Sequence, residues 1–144
     1  MNSIRSTVIP SLRYRDAPAA IDWLCAALGF TRQLVVPDEN GGVTHAQLRL
    51  GGGMIMLGSA RDDEWGRRMA LPAEIGGRET QCCCLVVQDV ETHCIRAQSA
   101  GADIVQPLHA PDYGGQAYAC RDPEGHVWWI GSYDPWAEVE ASEP

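Results

Sequence analysis

The sequence predicts an α+β fold in which one β-α-β-β-β unit is written twice. Three observations predict it. Gly58-Ser59 recurs as Gly131-Ser132, a spacing of 73 residues, and Asp16 recurs as Asp89 at the same spacing, each ahead of a helix-like segment. The turn Pro37-Asp38-Glu39-Asn40-Gly41-Gly42 has a one-residue-shorter counterpart in Pro111-Asp112-Tyr113-Gly114-Gly115. The order of strand-like and helix-like segments is also the same in both halves, and this outweighs the few identities as a sign of repetition.

Residues 7–14 read as the first strand. Asp16 caps a helix with Pro18 in its first turn, and Ile21, Leu24, Cys25 and Leu28 give it one apolar face. Gly29 ends that helix. Strands follow at 30–36, 43–50 and 54–58, separated by the Pro37–Gly42 turn and by Gly51-Gly52-Gly53. In the second half Asp89 caps a helix, and strands are expected at 81–88, 104–109, 116–121 and 126–133. The single domain thus holds two repeats, about 7–60 and 80–133, joined by a linker at 61–79. That linker reads either as a solvated connector or as a flap whose Trp65 covers a pocket.

Composition narrows the function classes. The chain has 144 residues, 45% hydrophobic, and no run near the ~20 apolar residues of a membrane span. Residues 1–10 lack a long apolar segment, so a soluble cytoplasmic protein is expected, with no membrane partner. The formal charge is −8 and the arginines are scattered, which argues against nucleic acid. An acidic surface attracts cationic small molecules, weakly in salt. Six cysteines occur with no C-x-x-C pair, and most read as small buried apolar groups.

Strand alternation sorts the faces. Val8, Pro10 and Leu12 share the side toward the helices, as do Cys83, Leu85 and Val87. Ile9, Ser11 and Arg13, with Cys82, Cys84 and Val86, share the other. On the third strand His45, Gln47 and Arg49 alternate with Ala46, Leu48 and Leu50. Carried on by 73 residues, His45 falls on Tyr118 and Gln47 on Cys120. The open face is then expected to carry the ligand-binding set Arg13, His45, Gln47, Met56, Tyr118 and Trp129. Such a set suits a small organic ligand, or it is the wet side of an antiparallel sheet. Of Trp128 and Trp129, one packs under a helix, because neighbours cannot share a face.

The doubled unit, Ser11-Leu12-Arg13-Tyr14-Arg15-Asp16, Leu28-Gly29-Phe30, and Asp122-Pro123-Glu124-Gly125-His126 before the last strand resemble the vicinal oxygen chelate superfamily. That group includes glyoxalase I, extradiol dioxygenases, fosfomycin-resistance enzymes and bleomycin-resistance binding proteins. The resemblance covers residues 7 to 133 and implies curved mixed sheets, cups around small ligands, and a homodimer. Metal-dependent members place His, Gln or Glu on the first and last strand of each half. Those positions fall here on Ile9, Met56, Cys82 and Trp129, which leaves no set for a hard divalent ion. The expectation is a small-molecule-binding protein of the bleomycin-resistance type with no cofactor. The alternatives are a glyoxalase-like lyase or isomerase, with His45 as base and Tyr118 as acid, and a metal-dependent dioxygenase or similar enzyme with ligands placed elsewhere.

Overall fold

The computed structural model describes residues 5–137. Strand β1 (Ser11–Tyr14) leads into helix α1 (Ala17–Trp23), which continues as a π-helical turn at Leu24–Leu28. Strands β2 (Thr31–Pro37), β3 (Val43–Leu50) and β4 (Gly53–Ser59) complete the first half. The second half repeats the order as β5 (Cys83–Val86), α2 (Val90–Ser99), β6 (Asp103–His109), β7 (Ala117–Arg121) and β8 (Val127–Gly131). Each half is a four-stranded mixed sheet, ordered β1-β4-β3-β2 and β5-β8-β7-β6. In each the first and last strands pair in parallel and the other pairs are antiparallel.

Local chemistry explains the repeat. Asp16 accepts a hydrogen bond from the Ala19 N–H at 3.2 Å and Asp89 from the Thr92 N–H at 3.1 Å, so both aspartates are N-caps. Gly29, at φ 88°, closes the π-helical turn in a conformation that side chains resist. The recurring Gly-Ser is also mechanical. Ser59 Oγ accepts from the Val43 N–H at 2.9 Å, and Ser132 Oγ from the Gln116 N–H at 3.0 Å. Each serine ties the end of its sheet's last strand to the start of the strand beside it. Ladder pairing begins at Ser11 rather than residue 7, although the Pro10 carbonyl still accepts from Met56 N at 2.9 Å. Pro10 has no N–H of its own to extend the ladder.

The helices lie on one side of both sheets and share one core. Leu12, Tyr14, Ala46, Leu48, Ile55 and Leu57 of the first sheet join Leu85, Tyr118, Cys120, Trp128 and Ile130 of the second in a single buried cluster. The helical segments dock on each other directly. Trp23 Nε1 donates to Ala100 O at 2.8 Å, and Arg96 donates to Ala26 O at 2.7 Å and Cys25 O at 3.0 Å.

One expectation is corrected here. Tyr118 does not lie on the open face; it is fully buried on the helix side. The registers give the reason. Gln47 pairs with Met56, whereas Trp129, the counterpart of Met56, pairs with Ala119. The first half's helical segment holds one extra residue in its π-helical turn before Gly29, whose counterpart is Gly101, so β2 and β3 match β6 and β7 at a spacing of 72, not 73. A one-residue slip turns every side chain over. Ala117, Ala119 and Arg121 therefore replace Tyr118 and Cys120 on the open side.

The linker is partly folded, with short 3₁₀ turns at Gly66–Arg68 and Pro72–Ile75. Leu71 and Pro72 are buried, while Trp65 is 55% exposed. No helix among the described residues is long and apolar enough to cross a membrane.

Candidate functional site

The open face of the first sheet is built in cross-strand rows. Met56 stands between Ser11 and Gln47, all on β4 and its two neighbours. In the next row Arg13 pairs with Gly58, and His45 comes up beside Gly58 from β3, next to the Ala46–Leu57 pair. Gly58 brings no side chain to the centre of this row, and the Arg13 guanidinium lies in the space a Cβ there would take. Arg13, His45, Gln47 and Met56 are each half-buried. His45 Nε2 lies 3.1 Å from Gln47 Nε2, so the amide donates to the ring. Four of the six predicted ligand-binding residues are thus brought onto one surface.

Trp129 occupies the open face of the second sheet, between Cys84 and Ala119. His109, at the end of β6, meets its ring edge-on, with centroids 5.8 Å apart. Sequence reasoning missed His109, because bulges in the β6–β7 ladder break the alternation that would have assigned its face. Trp128 is fully buried, bonded through Nε1 to Asp122 at 3.1 Å and packed on Phe30.

Tyr118 takes no part in either face. Its hydroxyl donates to His93 Nδ1 at 2.6 Å, and His93 Nε2 donates to Leu28 O at 2.9 Å. Burial pushes the Tyr118 phenol well up and pulls the His93 imidazole down, which suits a neutral pair bridging the two halves. His45 and Tyr118 lie on opposite sides of their sheets, so the base-and-acid pair expected for side-chain catalysis does not form.

The 122–126 turn is a lock rather than a ligand site. Buried Asp122 accepts from Tyr14 Oη at 2.6 Å, from Trp128 Nε1, and from the N–H groups of Glu124 at 3.0 Å and His126 at 3.1 Å. The Glu124 carboxylate accepts the N–H groups of Arg15 and Asp16. His126 reaches Arg13 O at 2.8 Å through Nε2 and Glu79 at 2.6 Å through Nδ1. A cleft of about 210 Å³ beside this turn is lined by Tyr14, Trp23, Asp122 and Glu124, whose polar groups the lock already uses.

The donor chemistry at the four positions that the resemblance assigns to metal ligands does not suit a hard divalent ion. Ile9 and Trp129 offer no donor, Met56 offers a soft thioether, and the Cys82 thiol is held on Cys83 O at 3.6 Å. Burial and then Cys84 push the Cys82 thiol upward, away from the thiolate a metal needs. Among the described residues no three His, Cys, Asp or Glu side chains gather as a metal cluster.

Comparisons agree with this fold. TioX from Micromonospora sp. ML1 matches with a TM-score of 0.69 and 35% identity, over 88% of this chain and 97% of that one. The fosfomycin resistance protein FosX from Listeria monocytogenes matches with a TM-score of 0.64 over 93% of this chain and 98% of its own, at 11% identity, and so shares the fold alone. The uncharacterized protein Mb0911c of Mycobacterium bovis is 31% identical over 141 residues, 98% of this chain and 91% of that protein. The family model of the Glyoxalase/Bleomycin resistance protein/Dioxygenase superfamily matches residues 4–130. With its paired sheets, shared core and matching length, the chain belongs to that superfamily.

Proposed function

We propose that this protein binds a small organic molecule without changing it, in the manner of a bleomycin-resistance protein, and does so without a resident metal. The observation that carries this reading is the character of the open faces. Where the family's enzymes would hold an ion, the faces present Ile9, Met56, Cys82 and Trp129, set among Arg13, His45 and Gln47. Large apolar side chains with a few polar ones form a surface for binding rather than for Lewis-acid chemistry.

The working unit is a homodimer in the cytoplasm. Both open faces and the outer strands carry exposed apolar groups, with Leu34 at 45%, Val86 at 52% and Val105 at 44% exposure. Apolar area of this kind, spread over both sheets, favours cover by a second copy. All six cysteines are free, as suits a reducing compartment.

Thermal unfolding of chelator-treated protein against dyes, antibiotics and aldehydes tests the reading. A ligand at a hundred times its dissociation constant should stabilise by ~2.7 kcal/mol and be recovered chemically intact. Turnover that appears only after a divalent metal is added would overturn it. A monomer by sedimentation at micromolar concentration would remove the dimer.

A further inference from the structure

The open faces of the two sheets differ in charge, and the difference points to a class of ligand. The chain carries a formal charge of −8, yet the first sheet's open face holds Arg13 and Arg49, with Arg61 just beyond β4. The position equivalent to Arg13 in the second sheet is Val86, which pairs with Gly131 as Arg13 pairs with Gly58. Arg49 has a counterpart in Arg121 on the second sheet, so the cation that one half has and the other lacks is the one at the Arg13 position.

Arg13 is also incompletely satisfied. Its Nε is buried and has no hydrogen-bond partner among the described residues. Burial and the nearby Arg61 charge both disfavour its protonated form, and only Asp63 offsets them. Asp63, however, is already held by Arg61 Nε at 2.9 Å and by the Gly66 N–H at 2.7 Å. Two guanidinium groups thus share one engaged carboxylate, leaving one net positive charge where the Arg13 guanidinium lies against Gly58. His45 stands on the other side of Gly58, and its Nε2 is taken by Gln47, so the ring's remaining Nδ1–H is a donor.

We propose that the Arg13–Gly58–His45 row grips an oxyanion, a carboxylate, sulfonate or phosphate, at one end of the bound molecule. The proposal rests on the small-molecule-binding reading above. The guanidinium fork donates to two oxygens at once, and a ligand oxygen satisfies the orphaned Nε or an adjacent Nη. The missing side chain at residue 58 gives the Arg13 guanidinium room to lie against the strand, which fixes the fork on the open face.

Two dyes with the same rings test this: anilinonaphthalene sulfonate, which is anionic, and phenylnaphthylamine, which is neutral. Both are titrated by fluorescence against the full chain at low salt. The wild type should prefer the sulfonate at least ~10-fold, as expected for charge-assisted hydrogen bonds. Arg13→Gln should reduce the sulfonate-over-neutral preference to about 2-fold or less, whatever it does to neutral-dye affinity, and Arg13→Lys should restore part of the preference. If Arg13→Gln does not fold, Arg61→Gln and the wild type in high salt carry the test, each lowering sulfonate affinity alone. Equal affinity for the two dyes in the wild type, or a sulfonate preference that survives Arg13→Gln or high salt, would overturn the anion assignment and leave the binding reading standing. Failure of both dyes to bind would overturn both.

Discussion

Replacing Tyr14 with Phe tests whether the 122–126 turn holds the two halves together. The hydroxyl donates to Asp122 Oδ2 at 2.6 Å inside the core, and the ring packs edge-on against His126 with centroids 4.7 Å apart. Burial first, and the Asp122 charge second, hold the phenol pKa well above its ordinary value, so the proton stays on Tyr14. Phe keeps the ring and removes only the donor. A hydrogen bond to a charged group contributes ~1.5–3 kcal/mol net. Asp122 keeps three other donors, so it is not stripped, and the cost falls at the lower end, ~1.5–2 kcal/mol. For a chain of this size that lowers Tm by roughly 5–8 °C. Urea unfolding followed by tryptophan fluorescence, at fixed protein concentration, should show a lower midpoint with an unchanged slope. Asp122→Asn should cost more, ~3–5 kcal/mol, because either amide orientation turns donors toward donors. The double variant should then show a coupling of at least ~1 kcal/mol. A Tyr14→Phe loss below ~0.5 kcal/mol, or strict additivity with Asp122→Asn, would refute the lock.

The remaining predictions concern groups on either side of the sheets. Iodoacetamide followed by mass spectrometry should label exposed Cys82 and Cys84 first, and Cys120, whose thiol burial pushes up to about 12, only on unfolding; early labelling of Cys120 would contradict its place in the core. His93 has a folded pKa held below the ordinary 6.5 by burial, with Arg96 adding to the effect. The unfolded chain therefore takes up that proton first, so the stability contributed by neutral His93 is complete above 6.5 and is lost as pH falls toward the folded value. Unfolding midpoints of the wild type and His93→Gln measured across that range should converge on acidification, and parallel curves would sink the assignment. Tyr118→Phe should lower stability by ~1 kcal/mol yet leave dye binding unchanged, since its hydroxyl faces α2 and not the cup.

Most of the fold was legible because its signals are local. The paired caps Asp16 and Asp89, the Gly-Ser strand ends and the turn residues each act within a few positions of themselves. The site was legible only in part. Arg13, His45, Gln47 and Met56 could be grouped because the first half carries a clean alternation into its strands. Tyr118 could not be placed, because the extra residue of the π-helical turn before Gly29 and a β7–β8 loop one residue longer than the β3–β4 loop cancel in the overall spacing of 73 while shifting β6 and β7 together. Nothing in the residue types of 117–121 betrays the shift, since Tyr and Cys suit a core as well as a cup. The role of Asp-Pro-Glu-Gly-His was hidden for another reason. Its partners Tyr14, Arg15, Asp16 and Glu79 are more than forty residues away in the chain.

On the proposed binding reading, the doubled fold gives one chain an amphipathic surface for its ligand. Gly58 and Gly131 stand at equivalent places near the ends of β4 and β8, and each brings no side chain of its own. The Arg13 guanidinium lies over the first, while Trp129 Nε1 comes within 3.6 Å of where a Cβ at the second would stand. One frame, copied, thus presents a guanidinium beside one glycine and an indole beside the other. Within a chain the two halves join through their helices and the 122–126 turn, which leaves both open faces pointing outward. A cup that used both faces at once would need the first sheet of one copy to face the second sheet of another. Divergence between the repeats would then set the two poles of the ligand independently: change at positions 13, 45 and 58 alters the charged end, and change at 109, 129 and 131 alters the aromatic end. The lock residues Tyr14, Asp122 and His126 stand apart from both sets, so the ligand could change in evolution without loosening the fold.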